Sequence, residues 1–276
     1  MDIDLDTGKL LVFVGGLCLF FGLEALGPTR VIPQSKLSRL FRHGLMATFN
    51  TSLIRVLTFV PMLGWLVYIE QQGFGIVRWL GLSGPIEFAL SIIFLDLFDY
   101  WWHRANHRVT FLWRFHKAHH SDTAIDVTTA LRFHPGELLL SMLAKAVWVL
   151  LWGPSTFAWF LFEALVSFCS QAHHSNVDLP DSIEQRISKL WVTPRFHAKH
   201  HGIDRSFGDA NFSTIFSFWD LIFNTTASNL SQAQMQKLDI GLPEGRQHAN
   251  SLVYWLKEPL QPSNLHLVRR DNGTSL

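Results

Sequence analysis

Charge is scarce in this sequence: of 276 residues, only 16% are Asp, Glu, Lys or Arg, against roughly 25% in soluble domains. That shortage, with 23 Phe and 11 Trp in a chain that is 48% hydrophobic, makes a membrane protein the first expectation. An excess of positive charge is missing too. A formal net charge of +1, with Lys and Arg scattered along the chain, supplies no field to hold a phosphate backbone, so nucleic acid is not an expected partner. Cysteine is limited to Cys18 and Cys169, both in apolar runs where a thiol behaves as a small hydrophobe. Clustered cysteine is therefore absent, which argues against iron–sulfur clusters and structural zinc. The sequence holds no H-E-x-x-H, no dinucleotide fingerprint and no haem-attachment motif.

Long apolar runs are present. Leu10 to about Leu26 follows an acidic start without the basic opening of a signal peptide, and reads as a retained span. A second span is expected from about Met46 to Ile69, and a third from Pro85 to Trp102. The apolar run Leu138 to Phe168, with Gly153-Pro154 at its middle, is too long for one span of about 20 residues and short for two. It reads as a tight helical hairpin that dips into the bilayer with both ends on one side. Arg30, Lys36, Arg39 and Arg42 precede the second span and only Arg78 follows it. The positive-inside rule then puts the first loop, and the region after the third span, in the cytoplasm. The expected architecture is all-α: a polytopic membrane helical bundle of about three spans plus a hairpin, with a cytoplasmic histidine-rich cap. Residues 1–84 form N-terminal spans, 85–230 a catalytic unit, and 231–276 a polar, solvated tail.

Histidine is what the sequence concentrates: eleven of 14 lie between His103 and His201. His103 and His107, spaced i, i+4, stack on one face of a helix leaving the third span. His116, His119 and His120 form one H-x-x-H-H group and His197, His200 and His201 a second. Adjacent histidines project about 100° apart on a helix, so each group can serve two metal centres. His134 and the pair His173-His174 fall at the expected ends of the hairpin. His43, His248 and His266 have no histidine neighbours and read as packed or hydrogen-bonded. Imidazole suits zinc, copper, iron or nickel, and around ten imidazoles exceed the needs of one tetrahedral zinc, so two metals of five or six ligands fit the count better. Neutral ligands alone leave two divalent ions uncompensated, so carboxylates are expected around the imidazoles. Asp96, Asp99, Asp122, Asp126, Glu137 and Asp209 are the candidates by sequence proximity. Glu163, inside the hairpin, is the one intramembrane acid, expected to be paired or near the interface. A zinc-dependent membrane hydrolase, or a metal carrier or haem-binding electron-transfer subunit, are the other readings. The first lacks its motif, and the second would place histidines within the spans rather than after them.

Asp96-Leu-Phe-Asp-Tyr-Trp-Trp-His103-Arg-x-x-His107, Leu112-Trp-Arg-Phe-His116-x-x-His119-His120, Thr129-Ala-Leu-Arg-Phe-His134-Pro-x-Glu137, His174-Ser-Asn and Thr193-Pro-Arg-Phe-His197-x-x-His200-His201 follow in order. Together they resemble the fatty acid hydroxylase superfamily, which includes sterol desaturases and methyl-sterol oxidases, over roughly residues 85–224. The resemblance implies two non-haem irons held by the eight histidines of the three main boxes, with His134 and His174 completing the set and His173 a further candidate. It also implies dioxygen as co-substrate, a lipid substrate drawn from the bilayer, hydroxylation or desaturation of a C–H bond, and an external electron donor of the ferredoxin or cytochrome type with its reductase. Two departures stand out: Asn211-Phe-Ser where the family has Asn-Tyr-Gly, and Trp219-Asp-Leu-Ile-Phe-Asn224-Thr where it has Gly before Thr.

Overall fold

A computed structural model describes residues 5–261. Apolar length dictates its frame of helices: α1 (Leu5–Leu26), α2 (Lys36–Ile54), α3 (Val60–Gln72), the short α4 (Ile76–Trp79), α5 (Gly84–Arg108), α6 (Thr110–His120), α7 (Pro135–Trp152), α8 (Thr156–His174), α9 (Asp181–Ile187) and α10 (Pro194–His200). Among the described residues there is no strand, only an isolated antiparallel bridge between Gly202 and Ile240. Three stretches are long and apolar enough to cross a membrane: Thr7–Leu26, the run Lys36–Trp79 and Pro135–Trp152. Their outer faces show Leu10, Val14, Leu143, Val147 and Leu151, as a lipid-facing surface requires.

The expected third span does form a helix, α5, which starts after Ser83 with Pro85 in its first turn. It is not among those three stretches because it carries Glu87, Asp96 and Asp99; these acids turn inward, Glu87 and Asp96 buried and Asp99 paired with Lys145 at 2.9 Å. The hairpin also differs from expectation. Its arms α7 and α8 have 18 and 19 residues, about 27 Å each at 1.5 Å per residue. They extend past the apolar run at both ends, through Pro135-Gly-Glu137 and Gln171 to His174. The tip is pinned far from the histidines. The Ser155 amide donates to Glu87 at 2.9 Å and the Thr156 amide to Glu70 at 2.9 Å. Gly153, with φ 74°, meets Gly75, with φ 98°, so closely that a Cβ on either would collide with the other's backbone.

α2 starts well before the expected second span. Its first turns pack Arg39 and His43, both buried, against residues 122–128 rather than lipid. A π-helical stretch, Arg55–Phe59, joins α2 to α3. α1 runs parallel to α8, from Lys9 beside Glu163 to Glu24, which accepts from the Asn176 amide. The core holds Leu66, Ile69, Leu95, Val149, Trp159, Phe162 and the free Cys169.

The segment after Ser231 is not a solvated tail as far as Gln261. The Ile203 amide donates to Asp239 and the Gly241 amide to His201, laying this strip beside the third histidine box. Trp255 is 1% exposed and packs near Met46 and Ala118. Residues 262–276, including His266, lie outside the described residues.

Candidate metal centre

Four helices deliver histidines to one pole of the bundle. α5 contributes His103 and His107 from its last turns, α6 contributes His116, His119 and His120, α8 ends on His173 and His174, and α10 carries His197 and His200, with His201 at its cap. Thr193 starts α10 by accepting from the Phe196 amide at 3.1 Å, with Pro194 in the first turn.

The imidazoles sort into two groups. His103, His107, His116, His120 and His200 have one ring nitrogen each within 4.8 Å of one another, and so do His119, His174, His197 and His201. His120 of the first group lies against His201 of the second, ring centroids 4.5 Å apart, so the groups share a wall. The second and third boxes each divide between the groups, as adjacent projection at about 100° requires.

Backbone and carboxylate acceptors fix the tautomers. Nδ1 of His103 donates to the Phe212 carbonyl at 2.8 Å, that of His200 to Ala210 at 2.6 Å, and that of His174 to Ser170 at 2.7 Å. Nδ1 of His116 lies 2.7 Å from Oε1 of Glu137. With the proton held at Nδ1, the Nε2 lone pair points inward. Inside, Nε2 of His107, His116, His120 and His200 have no hydrogen-bond partner. In the second group, Nε2 of His174 faces those of His119 at 3.1 Å and His197 at 3.0 Å. Buried lone pairs converging without donors are the arrangement a metal cation relieves, so the residues fit metal. Burial and the neighbouring imidazoles hold His119, His120, His197 and His201 well below the ordinary histidine range, and push His200 down to about 3. They are neutral, ligand-ready rings at pH 7.

Two expected ligands stand apart. His134 belongs to neither group: its Nδ1 caps α7 by accepting from the Gly136 amide at 3.0 Å, and its Nε2 bonds the Leu256 carbonyl at 3.3 Å. Both nitrogens are occupied, so its role is a helix cap. His173 lies against the second group, its ring 4.1 Å from that of His197, and bonds the Thr214 backbone. Of the unclustered histidines, His43 bonds Thr128 at 2.9 Å and His248 stacks on Tyr254.

Among the six candidate carboxylates, Glu137 alone bonds a ring of the two groups. Asp96 accepts from the amides of Ile215 and Phe216 and the indole of Trp219. Asp99 pairs with Lys145, Asp209 with Arg108 at 3.1 Å, and Asp122 and Asp126 both with Arg39. Arg39 and Asp220 carry roles the sequence reading did not assign. Asp220 accepts from the Phe212 and Ser213 amides and from Thr225, and so positions the carbonyl that holds His103. The Trp219-Asp220 pair was the available signal. Asn224, at the lost family glycine, has φ 53°, a left-handed conformation that asparagine tolerates. The turn survives without glycine.

A cavity of about 300 Å³ opens from the imidazoles into the bundle, lined by His103, His116, His119, His173, His174 and His197 on one side. On the other it meets Lys9, Asp99, Lys145 and Glu163. An apolar groove of about 740 Å³ between α1, α2 and α7 adjoins it.

A family model described as fatty acid hydroxylase matches residues 88–225. The chain is 30% identical over 161 residues to human alkylglycerol monooxygenase, covering 58% of this chain and 34% of that one. It is 27% identical over 143 residues to the ornithine lipid hydroxylase OlsE of Rhizobium tropici, covering 51% and 42%. It is 30% identical over 166 residues to a very-long-chain aldehyde decarbonylase of Oryza sativa subsp. indica, covering 56% and 24%. The aligned region thus spans from about a quarter to two fifths of these relatives. No solved structure matches.

Proposed function

Because the chain belongs to the fatty acid hydroxylase family, we propose that it is a membrane-bound non-haem di-iron oxygenase that hydroxylates or desaturates a C–H bond of a lipid. Dioxygen is its co-substrate, and electrons come from an external ferredoxin- or cytochrome-type donor with its reductase. The observation that carries this reading is the convergence of nine imidazoles in two adjoining groups, several with Nδ1 tied to a carbonyl or carboxylate. His103, His107, His116, His120 and His200 would hold one iron, and His119, His174, His197 and His201 the other. A single tetrahedral zinc uses four ligands, so the hydrolase reading leaves five buried imidazoles without a role. The relatives' names, two of them a monooxygenase and a hydroxylase of lipids, support the substrate class.

When bound, iron supplies the electron-transfer chemistry that activates dioxygen. The chain's own contribution is position and dryness. Glu137 and the carbonyls of Phe212, Ala210 and Ser170 hold the rings in one tautomer, and the α5, α7 and α8 helices wall off water. The groove between α1, α2 and α7 admits a chain from the bilayer. Hydroxylation joins one oxygen atom to the substrate carbon, and two electrons and two protons carry the other to water. Desaturation removes a second hydrogen instead, and both oxygen atoms leave as water. Residues 85–230 would form the catalytic unit, and the positive-inside bias supports a cytoplasmic histidine pole.

Metal analysis tests the reading. Two irons per chain are expected, with dioxygen uptake that disappears in His119→Ala and in His200→Ala. One zinc per chain, or product formed without dioxygen, overturns it.

A further inference from the structure

Four ionisable side chains sit where an apolar bundle has least use for them. Lys145 bonds Asp99 at 2.9 Å and Glu163 at 3.4 Å, and Lys9 reaches Glu163 at 3.4 Å. Helices α1, α5, α7 and α8 each contribute one member. Ionisable groups at such depth are costly and mark functional sites more often than structural ones. Lys145 is buried, but the other three are not sealed away: Asp99 keeps 12%, Glu163 16% and Lys9 28% of side-chain exposure. All four line the cavity that also touches His103, His116 and His119. Asp99 lies one helical turn before His103, on the same face of α5.

The two spaces differ in character and size. The cavity measures about 300 Å³ and the groove about 740 Å³. Lys9, Phe13, Ala130, Phe133, Leu138 and Ser167 line both and form the passage between them. The groove is walled by Leu10, Ile54, Phe59, Leu131 and Met142, which suits an aliphatic chain. The cavity suits a polar head that exchanges hydrogen bonds with Asp99, Glu163 and the two lysines. The four charges cancel, so a head of net charge would unbalance the network.

We propose that this cavity binds the polar head of the substrate, a compact head of zero net charge carrying hydrogen-bond donors, while its chain lies in the groove. The carbon attacked is then one of the first few next to the head. A carbon in the middle of the chain is not reached, because a chain threaded past the ion pairs would leave the head in apolar surroundings. This assignment rests on the oxygenase reading for its chemistry and stands apart from it for its binding.

The test uses the full chain in nanodiscs and three radiolabelled probes: 1-O-hexadecylglycerol, hexadecanoic acid at pH 8, and hexadecane. Saturable binding above empty nanodiscs is expected to be at least tenfold tighter for the glycerol ether than for the other two. Replacing the outer pair together, Lys9→Met with Glu163→Gln, keeps the charge balance. It is expected to weaken binding of the glycerol ether about tenfold and leave hexadecane unchanged. Equal binding of the three probes by the wild-type chain overturns the assignment, whether or not the double variant folds. Equal ether binding in a folded double variant also overturns it. In oxidised product, oxygen or unsaturation within about three carbons of the head supports the assignment, and mid-chain oxidation overturns it. With the chain loaded with iron and supplied with dioxygen and a reduced ferredoxin-type donor, head-selective binding with no oxidation of any probe sustains the pocket and defeats the oxygenase reading instead.

Discussion

Glu137 Oε1 lies 2.7 Å from Nδ1 of His116, and both side chains are buried. The contact ties the start of α7 to α6 across the metal groups, so one carboxylate fixes both a ring tautomer and the seat of a helix. Its other oxygen has no partner. A carboxylate that orients a ligating histidine is worth 10–100-fold in metal affinity or activity. Glu137→Gln is expected to lower metal affinity by that factor with unchanged helical circular dichroism, measured by competition with a chelator. Unaltered affinity would assign Glu137 to packing alone.

His119 and His200 belong to different groups, and that separates their effects. Each alanine substitution is expected to remove about one metal ion per chain and leave the other group loaded. Elemental analysis of the purified variants decides. Loss of both metals from either variant would mean that the two groups behave as one cooperative site.

The three main boxes were legible because their chemistry is local: i, i+3 and i+4 spacings on a helix converge without knowledge of the fold. His174 could be paired with His119 only in three dimensions, since 55 residues separate them. His134 misled because Phe133-His134-Pro135 reads equally as a ligand motif and as a helix start; the start won, with Pro135 in the first turn and the ring capping Gly136. The carboxylates misled for a related reason. Sequence proximity placed Asp122 and Asp126 near His120, but their partner is Arg39, 83 and 87 residues earlier. The hairpin arms were underestimated because polar ends such as Gln171 to His174 belong to the helix while failing to look apolar.

Arg39 offers a test of that long-range pairing. It is fully buried and bonds Asp122 at 2.8 Å, Asp126 at 2.6 Å and Thr129 at 3.2 Å. Removing one member of a buried ionic group leaves uncompensated charge, at a cost of about 3–5 kcal/mol. Arg39→Met is expected to lower thermal stability strongly, whereas Lys237→Met, on the exposed surface, is expected to change it little. Tryptophan fluorescence during heating in detergent compares the two. A stable Arg39→Met would show that the two aspartates find compensation elsewhere.

Acid sensitivity of the metal-free chain follows from the imidazoles outside the spans. His119, His120, His197 and His201 are held well below the ordinary histidine range by burial and mutual repulsion, and His200 is pushed down to about 3. The unfolded chain protonates these rings as pH falls through about 6.5, while the folded chain leaves them neutral. Between those values the unfolded state binds more protons, so stability falls with acid, by up to about 1.4 kcal/mol per ring per pH unit. Above pH 6.5 to 7 the rings are neutral in both states and the effect is absent. Bound metal opposes the loss, because it binds the folded arrangement and competes with protons for the same nitrogens. The metal-free protein is therefore expected to unfold steeply between pH 6.5 and 5, and the metal-loaded protein at a lower pH. Parallel acid titrations followed by circular dichroism measure both midpoints. Coincident midpoints would mean that these imidazoles are not the groups whose protonation limits the fold.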